Sequence, residues 1–326
     1  MKVGLIGSTG LVGGAFLQIL SERNFPITKL VPFASERSVG KPIKFKGETH
    51  LIEPLNEENI KGLDILFVAT GEGVSLEWTP KAKKHGVYVI DNSSAFRLDP
   101  KTSLVCPEVN PEEIKKENYV YANPNCSTIQ LVVLLNALKK AGEMKDVTVA
   151  SYQAVSGAGK EALEELASQS KEEGKPASNV FPKQIAYNCI PQIGGFDPLG
   201  FSSEEQKIMK ETKKILSLPN LKVSAQTVRV PVMNGHAESV WVNFAGEIEF
   251  DKIREALKAQ TGLVYNEKDY DTPVDISGDD PVYVSRVRRD VDFTTRWLFW
   301  VVADNIRKGA ALNAIQIAEK LLPKIA

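Results

Sequence analysis

The sequence predicts an α/β chain of two domains: a Rossmann-type, doubly wound parallel sheet, then an α+β domain on a mainly antiparallel sheet. Three observations predict it. At 326 residues, 43% of them hydrophobic, the chain is too long for one ordinary core and apolar enough to fill two. Its first part alternates short apolar strands with helices, and glycine-containing turns close the strands, which is the pattern of parallel βαβ units. From Val147 onward the pattern changes: Val147–Val155 is a long strand of alternating polarity, and the later strands suggest a mostly antiparallel sheet.

Taken in order, Lys2–Ile6 is an apolar strand, and Gly7, Ser8, Thr9, Gly10, Leu11, Val12 and Gly13 lead into a helix reaching Ser21. The G-x-x-G-x-x-G spacing is a variant of the dinucleotide fingerprint, in which a tight turn and a helix N-terminus hold a pyrophosphate on backbone N–H groups. Glycines also close purely structural turns, but this one lies between a strand and a helix at the start of the chain. Strand Ile27–Phe33 ends in Ala34, Ser35, Glu36, Arg37 and Ser38, roughly 20 residues past the last glycine, where the ribose is expected. Arg37 with the hydroxyls of Ser35 and Ser38 suits the 2′-phosphate of NADP, while Glu36 keeps NAD open as the poorer alternative and a solvated surface turn is the plain one. Ile65–Ala69 is a strand, a helix runs through Lys84, and Val87–Asp91 is the next strand. Arg97 follows on the ligand-facing edge of such a sheet, as an anion clamp or as an ordinary surface arginine.

Tyr119–Ala122 ends a short strand, and Asn123, Pro124 and Asn125 turn the chain, because Pro124 fixes its own φ and keeps Asn123 out of the helical region. A helix then opens, with Ser127 and Thr128 as its N-terminal polar residues and Ile129, Leu131, Val132, Leu134, Leu135 and Leu138 as its apolar stripe. Cys126 therefore stands where free N–H groups and the helix dipole favour a thiolate and can hold an oxyanion. The alternative is a small buried hydrophobe. Strand Val147–Val155 contains Gln153 and leads through Ser156 and Gly157 to a Glu-rich helix, Lys160–Glu173. Residues 174–200 hold four prolines and no periodicity, as a functional loop or an interface arm would. A helix capped by Ser202 or Ser203 reaches Leu216. Strands Val223–Arg229 and Ser239–Phe244 flank a connection containing Pro231, Asn234, Gly235 and His236. Val282–Val287 and Leu298–Val302 are further strands, and the helix Lys308–Leu322 is expected to return to the first domain.

Forty basic against 41 acidic side chains give a formal charge of −1, which argues for neither nucleic acid nor an anionic membrane as partner. No apolar run reaches the roughly 18 residues of a membrane span, and Met1 runs into a strand without a leader-like pattern, so a cytoplasmic protein is expected. Cys106, Cys126 and Cys189 form no CxxC pair, and neither a disulfide framework nor a metal site is expected. Of the three histidines, His50 and His85 read as surface residues, which leaves His236 as the candidate base, with a satisfied loop histidine as the plain alternative.

NPNCST, SYQAVSGAG, SSEEQKIMKETKKIL, VRVPVMNGHAESV and VADNIRKGAALNAIQIAE, in that order behind GSTGLVG, closely resemble the aspartate-semialdehyde dehydrogenase family across nearly the whole chain. The resemblance implies a glyceraldehyde-phosphate-dehydrogenase-like architecture, with residues 1–125 plus 304–326 binding NADP and 126–303 serving catalysis and dimerisation. It implies NADPH-dependent reductive dephosphorylation of L-aspartyl 4-phosphate to L-aspartate 4-semialdehyde, a step towards lysine, threonine, methionine and diaminopimelate, by a homodimer. It implies Cys126 as the nucleophile that becomes an acyl-thioester, His236 as acid/base, Gln153 as the residue that orients substrate, and Asn125 in the same catalytic group. Arg229 matches the grip on the substrate α-carboxylate, Glu204 the partner of its amino group, and Arg97 and Lys207 the phosphate pair. Gly7, Thr9, Gly10, Leu11, Val12, Ser35, Arg37, Ser38, Ser156, Gly157 and Asn305 match the cofactor contacts. A reductase of N-acetyl-glutamyl phosphate or glyceraldehyde phosphate, and a cofactor-binding module without catalysis, are the competing readings; the last is expected to lack Cys126 or His236.

Overall fold

Short apolar runs fed by glycine turns bury too little to stand alone and stack side by side, which is how the first sheet arises. The computed structural model describes residues 1–171 and 177–325. Up to Pro124 it contains β1 (Lys2–Ile6), α1 (Leu11–Glu22), β2 (Lys29–Phe33), β3 (Pro42–Phe45), β4 (Glu48–Leu51), α2 (Glu57–Ile60) and β5 (Ile65–Val68), then α3 (Glu72–Lys84), β6 (Tyr88–Asp91), β7 (Ser103–Leu104) and β8 (Val120–Ala122). The sheet order is β2-β1-β5-β6-β8-β7, parallel throughout. β3 and β4 form a separate hairpin that the sequence reading missed, since its strands are charged and exposed.

The remaining elements are α4 (Cys126–Ala141), β9 (Met144–Gln153), α5 (Lys160–Gln169), α6 (Ser203–Leu216), β10 (Lys222–Arg229), β11 (His236–Phe244), α7 (Phe250–Lys258), β12 (Leu263–Tyr265), β13 (Val282–Arg289), β14 (Arg296–Ala303) and α8 (Leu312–Ile325). α8 belongs to the first unit, Met1–Pro124 with Ala310–Ala326. There Leu312, Ile315, Ala318 and Leu321 join Phe16, Ile19 and Leu20 of α1 against Val3, Leu5, Ile65 and Phe67. The opposite face, with Ile6, Val31, Leu66 and Val68, is covered by Ile60 and Ala82, so the sheet is doubly wound.

The second unit, Asn125–Gly309, is built on the order β10-β9-β11-β14-β13-β12. Its three inner pairings are antiparallel and its two outer ones parallel, a mixed sheet in which antiparallel pairing dominates. α4 is buried along nearly its whole length, which its unbroken Ile129–Leu135 run of buried side chains requires.

Several boundaries differ from the sequence reading. β9 begins at Met144, continuing the Val147, Val149 alternation, and ends at Gln153 because Val155–Ala158 winds into a 3-10 turn. α5 stops at Gln169, and the expected end at Glu173 lies outside the described residues. β11 begins at His236, not Ser239, and α8 begins at Leu312 because Arg307–Ala311 forms a π turn. The expected domain edge at residue 304 falls at 310 instead, since Asp304 and Asn305 are hydrogen-bonded to Asn234, Gly235 and Gly278. Helix α7 and strand β12 escaped the reading; α7 buries only Ile253 and Leu257.

Residues 177–200 are irregular but held. Glu165 of α5 accepts the N–H groups of Asn179 and Val180, and Gln169 accepts those of Ile185 and Ala186. α6 starts on a reciprocal cap: Glu205 N donates to Ser202 Oγ at 3.3 Å, and Ser202 N donates to Glu205 Oε2 at 2.7 Å. Ser202 Oγ also meets Thr227 Oγ1 at 3.1 Å, and Glu205 Oε1 accepts from Thr227 N, which fastens α6 to β10. Ser202→Ala should therefore lower unfolding stability by about 1–2 kcal/mol, the upper part of the range for a lost cap. Urea unfolding should show the midpoint falling at constant slope; an unchanged midpoint would remove the cap from the account.

Candidate active site

On the covered face of the second sheet the strands are apolar for most of their length and polar at one corner. β9 runs Val147, Val149, then Ser151, Gln153; β10 runs Val223, then Thr227, Arg229; β11, which is antiparallel to β9, opens with His236 and Glu238 and continues with Val240 and Val242. The register pairs Thr227 and Glu238 with Ser151, and Arg229 with Gln153. Six buried polar side chains thus meet at one corner.

Cys126 is the first residue of α4 and is half-buried. The cap is Asn125, not Ser127 or Thr128: its Oδ1 accepts from the N–H groups of those two residues at 3.0 and 3.2 Å. A residue one place before the helix, with extended ψ, is where a side chain can reach back over the first turn. Asn125 Nδ2 also donates to Glu204 Oε1 at 2.6 Å, and its N–H to Glu211 Oε2 at 2.7 Å. Asn125 thus ties the start of the cysteine helix to α6.

Glu204 gathers the rest. Gln153 Nε2 donates to its Oε1 at 3.2 Å and Lys207 Nζ to its Oε2 at 3.2 Å, while Ser151 Oγ orients Gln153. Burial alone would raise this carboxyl; the Lys207 charge and the bonds from Asn125, Gln153 and Lys207 outweigh burial and hold it below its ordinary value, so it is ionised. Arg229 is buried, donating from a guanidinium nitrogen to Ala154 O at 2.7 Å. Burial pulls its guanidinium down, and attraction to Cys126 and Glu204 opposes the fall. The same attraction favours negative charge on the Cys126 sulfur.

His236 is fully buried at the start of β11. Burial holds its imidazole well below the ordinary value, the Arg229 charge adds to this, and a backbone hydrogen bond with Gly235 opposes it. Its Nδ1 accepts from Ala154 N at 3.0 Å, so the neutral ring carries its proton on Nε2, which has no hydrogen-bond partner among the described residues. At rest the ring offers a proton from Nε2, the acid half of the expected acid/base.

Ser156 and Asn305 are buried and bonded to each other, and Asn305 Oδ1 also accepts from Gly235 N at 2.9 Å. These two hold the turn before His236, whereas exposed Gly157 lies open: a Cβ there would come within 3.2 Å of His236 Nε2 and 3.0 Å of an Arg229 nitrogen. Glu238, unremarked in the sequence reading, is fully buried with neither carboxyl oxygen in a well-formed hydrogen bond. Burial raises its carboxyl well above the ordinary value, opposed only by the Gln130 amide, so it is protonated. His50 and His85 are half-buried rather than on the surface; His85 pairs with Glu57 at 2.9 Å, and both lie in the first unit.

In the first unit, the turn after β1 suits a pyrophosphate. Gly7 has φ +85°, and a Cβ on Gly13 would fall 2.1 Å from Gly7 O, so two glycines are required for the turn. Gly10 begins α1 with no side-chain cap, and Thr9, Leu11 and Val12 surround N–H groups no protein side chain caps. Ser35 and Arg37 are exposed beside half-buried Ser38, after β2. Arg97 donates to Asn92 O at 2.7 Å. Among the described residues no group of three or more His, Cys, Asp or Glu is placed to hold a metal, and no helix is long and apolar enough to cross a membrane.

Residues 2–117 match the model of the semialdehyde dehydrogenase NAD binding domain and residues 135–308 that of the semialdehyde dehydrogenase dimerisation domain. The chain is 48% identical to an aspartate-semialdehyde dehydrogenase of Aquifex aeolicus over 98% of each chain. It superposes with a TM-score of 0.96, at 43% identity and over 100% of this chain and 99% of the other, on aspartate semialdehyde dehydrogenase II of Vibrio cholerae complexed with ASA. An aspartate semialdehyde dehydrogenase from Candida albicans with NADP gives a TM-score of 0.76 at 25% identity, over 99% of each chain.

Because Glu238 keeps in the folded state a proton that the unfolded chain releases above the ordinary carboxylate range, it is stabilising-neutral below that range and increasingly costly as pH rises. Glu238→Gln should remove this slope, gaining on the wild type by up to about 1.4 kcal/mol per pH unit above pH ~4.3 until the folded group itself ionises. Urea melts of both proteins from pH 5 to 8 check it; a difference that does not grow with pH refutes the neutral acid.

Proposed function

That the chain belongs to the aspartate-semialdehyde dehydrogenase family, a family of oxidoreductases, is the premise from which we propose its reaction and the parts of its residues. The reaction is reductive dephosphorylation of L-aspartyl 4-phosphate to L-aspartate 4-semialdehyde with NADPH, releasing phosphate. One observation carries it: a cysteine on a capped helix N-terminus, electrostatically paired with a buried arginine, at the same corner as a histidine that offers Nε2–H.

Cys126 attacks the acyl carbon as a thiolate, the form favoured by Arg229 and the helix dipole, so no base is needed to withdraw a proton at that moment. The C–O bond to phosphate breaks and a thioester forms on the sulfur. His236 donates a hydrogen bond from Nε2 to the acyl oxygen, stabilising the oxyanion before and after the thioester. When bound, NADPH supplies the hydride. Collapse then returns the thiolate and frees the aldehyde.

Arg229 takes the substrate carboxylate by its fork geometry, and ionised Glu204 takes the ammonium. That ammonium displaces Lys207 from Glu204 towards the phosphate, for which Arg97 is the second cation. A free ammonium is what an N-acetylated acyl phosphate lacks, so the buried carboxylate favours the aspartyl substrate. Gln153 and Asn125 position Glu204 and the thiol. The bare turn of Gly7 and Gly10 with Thr9, Leu11 and Val12 fits the pyrophosphate, and Ser35, Arg37 and Ser38 fit the 2′-phosphate of NADP; Gly157 offers backbone to the nicotinamide side. The unit Met1–Pro124 with Ala310–Ala326 serves the nucleotide and the unit Asn125–Gly309 serves catalysis and a homodimer, in a cytoplasmic protein of lysine, threonine, methionine and diaminopimelate synthesis.

NADP reduction with aspartate semialdehyde plus phosphate or arsenate, repeated with NAD, tests the reading. Cys126→Ser should abolish turnover with NADP affinity nearly unchanged, and a turning-over variant overturns the nucleophile. His236→Ala should lower kcat by roughly 100- to 1,000-fold, the worth of one oxyanion donor; a loss under tenfold would dismiss the ring from that position. For Arg229→Lys the Michaelis constant for the aldehyde should rise, and a constant equal to wild type would exclude the carboxylate grip.

A further inference from the structure

The turn between β14 and α8 touches both halves of the proposed chemistry. Asp304 Oδ1 accepts the N–H groups of Ile306 and Arg307 at 2.8 Å each, and its Oδ2 accepts from Asn234 at 2.7 Å and Gly278 at 2.8 Å. Asn305 accepts from Gly235, the residue before His236. Five residues on from Asp304, Gly309 donates its N–H back to Asp304 O at 3.0 Å, closing a π turn. π turns are rare and concentrate at functional sites, because they offset one residue of the chain from where a regular helix would put it.

The residue so offset meets the nucleophile. A Cβ built on Gly309 would stand 3.0 Å from Cys126 Cβ, 3.3 Å from Cys126 Cα and 3.5 Å from Asn305 Cβ. Gly309 has no positive φ, so its backbone conformation would suit other residues. Space is what favours a glycine: a Cβ there requires its neighbour to give by a few tenths of an ångström. The crowded atoms are the backbone and β carbon of Cys126, held by the Asn125 cap, rather than the end of a flexible chain.

We propose that Gly309 is a positioning residue for the Cys126 thiol. One turn, pinned by Asp304 and Asn305, fixes the start of the His236 strand at one end and backs the cysteine at the other, so it sets the spacing of sulfur and imidazole. A methyl group at 309 displaces Cys126 by a few tenths of an ångström, while Asn305 Cβ at 3.5 Å stays in ordinary van der Waals contact.

The inference rests on Cys126 being the nucleophile, and its test separates the two. Gly309→Ala should lower kcat by roughly 5- to 20-fold, in keeping with about 100-fold for a 1 Å misplacement, with both Michaelis constants within about twofold. The rate of Cys126 carbamidomethylation by iodoacetamide, followed by peptide mass because Cys189 is exposed, should change and its pH profile shift. Gly246→Ala, where a Cβ meets nothing within 4 Å, should match wild type in every measurement. Wild-type turnover and alkylation in Gly309→Ala overturn the inference, as does failure of that variant to fold, which would make 309 a packing position of the fold. An active Cys126→Ser overturns the nucleophile itself, whatever Gly309→Ala does.

Discussion

Everything at the polar corner depends on a buried carboxylate being fully occupied. Taking Glu204 out of water costs several kcal/mol unless its oxygens are paired. Three donors meet that demand, and each comes from a different element: Asn125 from the cap of α4, Gln153 from the end of β9, and Lys207 from the next turn of α6. Because the bonds radiate to three elements, the charge acts as a clamp. The Asn125 amide that serves Glu204 through Nδ2 caps the cysteine helix through Oδ1, so the carboxylate and the sulfur are held by one side chain.

Once that anion is fixed, the neighbouring charges follow. Arg229 is buried beside it and beside Cys126, and its guanidinium keeps its charge in spite of burial because both partners attract it. The same cation lies close enough to His236 to disfavour a second proton on the ring, reinforcing what burial already does. Behind them Glu238 adds no negative charge, since nothing pairs with it strongly enough to offset its burial. The corner thus holds Glu204 and Arg229 charged and His236 and Glu238 neutral. Such an arrangement favours a thiolate without an ionised histidine to accompany it.

Much of this was legible in the sequence where local chemistry and spacing agree. The strand, glycine turn and helix of residues 2–22, the capping box at Ser202 and the N-terminal position of Cys126 rest on local rules that tertiary contacts only reinforce. Elsewhere a longer-range contact decided. Asn125, read from the sequence only as part of a turn, caps α4, because the extended residue before the first turn reaches the N–H groups of Ser127 and Thr128. His236 looked like a loop residue among Pro231, Asn234 and Gly235, yet pairing with Ala303 of β14 draws it into a strand. Glu238 had no signal of its own: an acidic residue in an alternating strand reads as solvent-facing until the other face is known to be covered. α7 and the β3–β4 hairpin bury too few apolar residues for periodicity to show them.

The alternation on β9, β10 and β11 explains why the site forms at that corner. A strand face that packs under α4 and α6 must be apolar, and Val147, Val149, Val223, Val240 and Val242 satisfy this. Replacing the last two inward positions of each strand with polar residues would be destabilising unless they met one another. Parallel pairing puts Arg229 beside Gln153 and Thr227 beside Ser151, and antiparallel pairing puts Glu238 opposite Ser151. A one-residue slip of β11 would turn His236 and Glu238 to the opposite face and bring Ala237 inward, breaking both the core and the site. The hydrophobic pattern that folds the sheet is therefore also what brings the imidazole and the guanidinium to one face.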